Sequence, residues 1–134
     1  MLNDKIDTLL KTQRDVLGVM VRRQELIASN IANADTPHYH ARDLDFRAAL
    51  TAVKAATAGG ALHTTHPRHQ PLATPPAAAL TPGYRVTGQA AVDGNSVDMD
   101  AERTAFAENT LRYEASLRFM QSMVSGLQQA ITGQ

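Results

Sequence analysis

Apolar residues recur at spacings of mostly three and four along the first part of the chain, at Leu2, Ile6, Leu9, Leu10, Val16, Leu17, Met20, Val21, Ile27 and Ile31. Side chains spaced in this way share one side of a helix, so residues 2 to 34 read as a long amphipathic helix with a broad apolar stripe. Written as heptads the stripe is interrupted, because Gln13, Arg23 and Asn30 occupy seam positions. Such interruptions suit a helix that meets several neighbours better than one locked in a simple two-stranded coil. Pro37 lacks an N–H and disfavours helical geometry at Thr36, so the helix is expected to end near Ala34 or Asp35.

A second periodic stretch closes the chain. Met99, Phe106, Tyr113, Met120 and Leu127 recur every seven residues, with Arg103, Thr110, Leu117, Val124 and Ile131 as companions that are apolar only in the second half. Asp98 is a good N-cap, and Asp100 and Glu102 put negative charge on the first turn, where the helix dipole favours it. A helix over residues 98 to 131 follows, about 50 Å long at ~1.5 Å per residue. Its predicted seam is Met99, Phe106, Tyr113, Leu117, Met120, Val124, Leu127 and Ile131. Asp7–Lys11, Glu108–Arg112 and Glu114–Arg118 are i,i+4 pairs that support the two helices modestly. After Arg118 the helix carries no charge. An exposed helix normally displays charge, so Gln, Ser and Thr there, with Gly126 beside the seam, suit enclosure by other helices.

Between the helices the pattern breaks up. Tyr39, Leu44 and Phe46 are candidate anchors against a helix, and a short helix is expected around Asp45 to Ala56, with Asp43 or Asp45 as its N-cap. Residues 57 to 95 hold five of the six prolines and most of the glycines. That stretch reads as extended or mobile, with a short strand at Tyr84-Arg-Val-Thr and a turn at Val92-Asp-Gly-Asn. The fold class expected is mainly α: long N- and C-terminal amphipathic helices forming a coiled-coil-like pair, with a flexible Pro/Gly-rich middle containing at most short strands. The divisions are 1–36 for the N-terminal helix and its end, 37–97 for the irregular middle and 98–134 for the C-terminal helix, all within one structural domain.

Composition narrows the function. The 134 residues carry 13 basic and 13 acidic side chains, which gives no electrostatic case for nucleic acid or an anionic membrane. No run of apolar residues is long enough to span a bilayer. The absence of Cys excludes disulfides and thiolate metal sites. The opening Met1-Leu-Asn-Asp-Lys-Ile-Asp has no basic region followed by an apolar core, so no cleavable signal peptide is expected. The histidines form two groups, His38-x-His40 and His63-x-x-His66-x-x-His69. The second straddles Pro67, so no helix face can align it for Zn²⁺, and no carboxylate in the same loop completes a site. Solvated loop histidines are the better explanation. No phosphate loop, nucleophile elbow or acid–base pair is present, and neither an enzyme nor a cofactor nor a small-molecule substrate is expected.

The most distinctive stretch is Ala28-Ser-Asn-Ile-Ala-Asn-Ala-Asp-Thr-Pro-His-Tyr-His40. Asn30 and Asn33 are neighbours on one face, flanked by small residues, in the last turns of the first helix. On its own this is a helix end running into a turn. Ser29-Asn-Ile-Ala-Asn-Ala-Asp-Thr-Pro37 followed by Tyr39 resembles the N-terminal signature of bacterial flagellar rod, hook and hook-associated proteins. The chain departs from it at His38, where the family has Gly; a Pro-Gly pair suits a type II turn with positive φ, which His fits less well. The continuation Tyr39-x-Ala41-Arg42-Asp43-x-Asp45-Phe46 and the piece Thr65-His-Pro-Arg-His69 resemble the proximal rod proteins. So does Asn95-Ser-Val-Asp-Met-Asp-Ala-Glu-Arg through Tyr113, which is similar to their type B branch.

The resemblance implies a structural subunit of the proximal rod of the flagellar basal body, whose terminal helices pack into a helical tube that transmits torque. It implies an assembly motif of Ser29, Asn30, Ile31, Ala32, Asn33, Thr36, Pro37 and Tyr39. Partners would be other rod subunits, the rod-base adaptor and the membrane ring or export gate, with self-association in addition. It also implies type III export to a periplasmic rod without cleavage, where the N-terminus taken alone suggests a cytoplasmic protein. The rival from another class is a small soluble helical binding module, such as a secretion chaperone.

Overall fold

The structure, a computed structural model, describes residues 2–58, 81–85 and 92–133. The elements run α1 (Leu2–Ala32), β1 (Arg42–Asp43), α2 (Phe46–Ala58), β2 (Gly83–Tyr84) and α3 (Met99–Thr132). The mainly α fold with two long terminal helices is therefore as expected. The histidines at 63, 66 and 69 and most of the Pro/Gly-rich stretch lie outside the described residues.

Helix α1 ends at Ala32, slightly before the predicted limit, and a turn over 33–35 leads to Pro37. Asn30 bonds to Glu102, Gln24 to Thr110 and Ser116 to the Met20 sulfur. Falling numbers on α1 thus meet rising numbers on α3, and the terminal helices form an antiparallel hairpin. Two adjacent faces of α1 are used. Met20 and Gln24 meet α3, while Val19 and Leu26, with Val16, pack against Leu44, Phe46, Ala49 and Val53. Val19 and Leu26 are absent from the stripe read off the sequence, which followed a single face.

The packing of α2 follows from its residues. Asp45, not Asp43, is the N-cap, accepting the Ala48 amide at 2.9 Å. Phe46, Ala49 and Val53 then fall on one side and meet α1. Arg112 of α3 lies over the Phe46 ring, 5.8 Å from its centroid. Strand β1 pairs antiparallel with β2, Arg42 opposite Tyr84 and Asp43 opposite Gly83. Part of the stretch expected to be extended or mobile, 81–85, is thus built into the fold.

Helix α3 begins as predicted, with the Asp98 carboxylate accepting the amides of Asp100 and Ala101 at 3.0 and 3.2 Å. It ends on Gly133, whose φ of 71° returns its amide to the Gln129 carbonyl. Of the three expected i,i+4 ion pairs only Glu108–Arg112 closes among the described residues. Exposed pairs gain too little in water to hold two long side chains in one geometry.

Candidate functional site

The signature turn is built from α1 outward. Asn30 is fully buried, and its side-chain amide acts as a peptide group toward β1. Its Oδ1 accepts the Arg42 amide at 3.0 Å, and its Nδ2 donates to the Arg42 carbonyl at 2.7 Å. The other edge of β1 faces β2, where the Arg85 amide donates to the Ala41 carbonyl at 2.8 Å. A two-residue strand is thereby paired on both edges, by a strand on one side and by one asparagine on the other.

Asn33 is spent differently. Its Nδ2 donates back to the Ser29 carbonyl at 2.8 Å, and its Oδ1 accepts from the Thr36 hydroxyl at 3.3 Å. The Ser29 and Tyr39 hydroxyls lie 3.1 Å apart and close the turn from below. The turn that follows α1 also presents carbonyls that need a donor, and Asn95, buried, reaches back across the chain to supply one. Its Nδ2 lies 3.1, 2.6 and 3.0 Å from the carbonyls of Asn33, Ala34 and Thr36. Its Oδ1 accepts the Val97 amide at 2.8 Å, which orients the amide. Ser96 adds two more ties, its amide to the Tyr39 carbonyl and its hydroxyl to the Ala41 amide.

His38 takes a φ of 59°, and the Tyr39 amide bonds to the Thr36 carbonyl at 3.3 Å. With Pro37 before it, this is the type II turn that glycine would favour, adopted by histidine. Gly94 faces it with a φ of 74°, and a Cβ there would sit 2.6 Å from His38 Nδ1. The Asp93 carbonyl accepts the His38 amide, which helps to hold the ring over Gly94. A left-handed residue other than glycine costs about 1–2 kcal/mol, partly offset in comparison by the chain entropy glycine loses on folding. His38→Gly is accordingly expected to raise stability by about 1 kcal/mol. Gly94→Ala should lower it, and less so in the His38→Gly background, where no ring opposes the new methyl. Urea denaturation of the four proteins checks this; additive effects would mean that the two positions do not touch.

Beside the turn lies a ring of charge. Arg23 donates from Nε and Nη2 to the two Asp43 oxygens at 3.1 and 3.2 Å. Arg85 bridges Asp43 Oδ2 at 2.8 Å and Glu102 Oε1 at 2.7 Å. Asn30 Nδ2 reaches Glu102 Oε2 at 3.2 Å and completes the circuit through α1, β1, β2 and α3. Two guanidinium groups face two carboxylates, and Glu102 has no exposed surface. Glu102 lies on the first turn of α3 as the sequence predicts, and it also points into the fold.

Burial works against the charge on Asp43, but hydrogen bonds from Arg23, Arg85 and the Leu44 amide outweigh it and hold the carboxyl below the usual aspartate range. For Arg85 burial is likewise outweighed, by Asp43 and the field of Glu102, and its charge is held more firmly. A carboxyl depressed in the folded state contributes stability above its unfolded pKa, lost as pH falls through its folded one. The urea midpoint should therefore hold down to about pH 5 and fall below about pH 4, the ordinary aspartate range. Asp43→Asn should reduce the acid slope; an unchanged slope would place the titrating group elsewhere.

The predicted residues are brought together unevenly. Asn30 is buried, Ser29, Ile31, Asn33 and Tyr39 are half-buried, and Ala32, Thr36 and Pro37 are exposed. On α3, Met99, Tyr113, Leu117, Met120 and Leu127 are half-buried, while Phe106, Val124 and Ile131 are exposed. The column turned furthest inward lies three residues past the seven-residue repeat, at Glu102, Asn109, Ser116 and Met123. Asn109 is buried and donates to the Met20 carbonyl at 2.9 Å and to Gln24. Its polar members hid this column from a search for apolar repeats. Of the remaining partners, Arg23 was legible only as a break in the heptad stripe, and Arg85 and Asn95 only as strand and turn residues. His38 and His40 are exposed, and the His40 ring meets Tyr84 edge-on.

The side chains of Asn30, Asn33, Asn95, Arg23, Arg85, Asp43 and Glu102 are committed to the chain's own backbone or to neighbouring side chains. Such an arrangement shapes a helical hairpin and the turn at its end. A family model described as flagella basal body rod protein matches residues 21–39, from the middle of α1 through the turn. The chain is 45% identical over 130 residues to the flagellar basal body rod protein FlgB of Escherichia coli, covering 92% of this chain and 93% of that one. It is 42% identical over 134 residues to FlgB of Salmonella typhimurium, covering 97% of each chain. Against FlgB of Cereibacter sphaeroides it is 46% identical over 128 residues, covering 90% of this chain and 97% of that one. The chain belongs to the FlgB family of flagellar basal body rod proteins. Its role is structural, in the flagellar basal body, in association with other rod components. Among the described residues no helix is long and apolar enough to cross a membrane.

Proposed function

We propose that this chain is a subunit of the proximal rod that packs through α1 and α3 into a helical tube transmitting torque. Its neighbours are other rod subunits, the rod-base adaptor and the membrane ring or export gate, and it is exported uncleaved. The observation that carries this reading is the distal part of α3. From Phe119 to the end the chain has no charged residue, yet Phe119, Val124 and Ile131 are 59, 38 and 85% exposed. A helix with apolar side chains in water and no solubilising charge between them lacks a partner that the assembled state would supply. The residues Met120, Val124 and Leu127 follow one stripe of that segment.

A charge at Val124 tests the proposal. It would be buried without a counter-charge in the assembled rod, at a cost of several kcal/mol, but solvated in the free subunit. Val124→Glu should leave the thermal midpoint and helical spectrum of the purified protein nearly unchanged. It should also prevent incorporation into isolated basal bodies and abolish swimming. Normal incorporation would remove Val124 from any interface, and a variant that melts as a monomer would place it inside the subunit.

A further inference from the structure

We infer that residues 81–85 form a latch, and that Arg85, by docking it, sets the shape of the signature turn. This inference concerns the subunit itself and stands apart from where the subunit assembles. The latch is held by polar ties rather than by apolar burial. Gly83 has no side chain to pack, and Tyr84 is 76% exposed. Against that, Arg85 makes two charge-assisted bonds, to Asp43 at 2.8 Å and to Glu102 at 2.7 Å, and its amide bonds to Ala41.

Each bond of Arg85 leads into the signature. Glu102 uses one oxygen for Arg85 and the other for Asn30 Nδ2. Asn30 in turn holds both polar groups of the Arg42 backbone. Through Asp43, Arg85 also shares a carboxylate with Arg23. With the latch docked, Glu102 is neutralised and fixed in the rotamer that meets Asn30. With it undocked, a carboxylate that has no exposed surface loses its cation and must turn toward water. Asn30 then loses an acceptor, and the segment it positions, Arg42 back to His38, loosens. The apolar cluster between α1 and α2 need not follow, because Val19, Leu26, Leu44, Ala49 and Val53 are held together by burial rather than by the charges of the ring. Arg85 is thus a positioning residue for Asn30, and the latch and turn open together as one local unit.

Amide hydrogen exchange on the full-length protein reads this directly. The turn reporters are the amides of His38 and Ser96, bonded to Asp93 and Tyr39. The hairpin reporters are residues 24–27 of α1 and 110–113 of α3. In Arg85→Gln the turn amides are expected to exchange about tenfold faster or more, with the hairpin amides changed less than about twofold, as local opening requires. Should Arg85→Gln fail to fold because Glu102 is left charged, the double variant Arg85→Gln/Glu102→Ala removes that charge and, like the undocked carboxylate, leaves Asn30 without this acceptor, so it should show the same pattern. Turn amides unchanged in a folded variant would overturn the coupling. Equal acceleration of turn and hairpin would overturn the latch and make Arg85 an ordinary staple of the global fold.

Discussion

Asn30→Ala is expected to lower the stability of the free subunit by about 3 kcal/mol, despite a gain in helix propensity of roughly 0.5 kcal/mol. Three bonds go at once, two to the Arg42 backbone and one to Glu102. Of the groups left behind, Glu102 has no exposed surface, and an unpaired buried polar group costs about 1–3 kcal/mol. Relaxation and entry of water should recover part of that sum. Asn33→Ala provides the internal comparison. Asn33 is half-buried, and its side chain bonds only within its own turn, to Ser29 and Thr36. Its loss should cost less than about 1 kcal/mol. Urea denaturation of the two variants separates the cases. Equal effects would mean that the two asparagines are interchangeable helix-end amides, and the pairing of Asn30 with β1 would have to be abandoned.

Asn95→Ala is the second large effect, expected at about 2 kcal/mol. The change removes the donor shared by the carbonyls of Asn33, Ala34 and Thr36, and the acceptor for the Val97 amide. The cost is set below that of Asn30 because the turn lies nearer the surface, where Thr36 and Pro37 are exposed and water can replace part of the loss. Asn95→Asp is the sharper test. It preserves the acceptor for Val97 but presents a carboxylate to three carbonyl oxygens, so it should be at least as damaging as alanine. An aspartate variant as stable as the wild type would show that the amide nitrogen is not what holds the turn after α1. The loss should appear as earlier fraying of residues 29–36, visible as faster exchange of the Asn33 and Thr36 amides.

Helix α3 is tied to α1 unevenly along its length. Its proximal half is tied to α1 by Glu102, Asn109 and Ser116, each with a partner on α1. Asn109 Oδ1 is buried without a partner among the described residues. Polar groups in such a column specify one register of two helices, since any slip would leave them unpaired. Beyond Met123 the column has no polar member of this kind, and the helix holds apolar side chains in water instead.

The sequence by itself determined the two long helices, the N-cap at Asp98, the end of the first helix ahead of Pro37, the short helix behind Asp45 and the family signature. These are local matters, decided by spacing of apolar residues, by backbone chemistry of proline and by side chains that reach their own turn. It also marked Arg23 and Asn30 as breaks in an apolar stripe, without saying what they break it for. Only the tertiary structure decided that Asn30 pairs with Arg42 and Glu102, that Asn95 ties the turn after α1 from some sixty positions away, and that Arg85 joins two carboxylates. It alone selected Glu102, Asn109, Ser116 and Met123 as the inward column of α3. The physical reason is common to all of these. A polar side chain declares its type in the sequence, but its energy depends on which partner is brought within about 3 Å of it, and that is settled only when distant elements meet. His38 obeys the same rule, because a left-handed histidine is acceptable only where Gly94 leaves room for its ring.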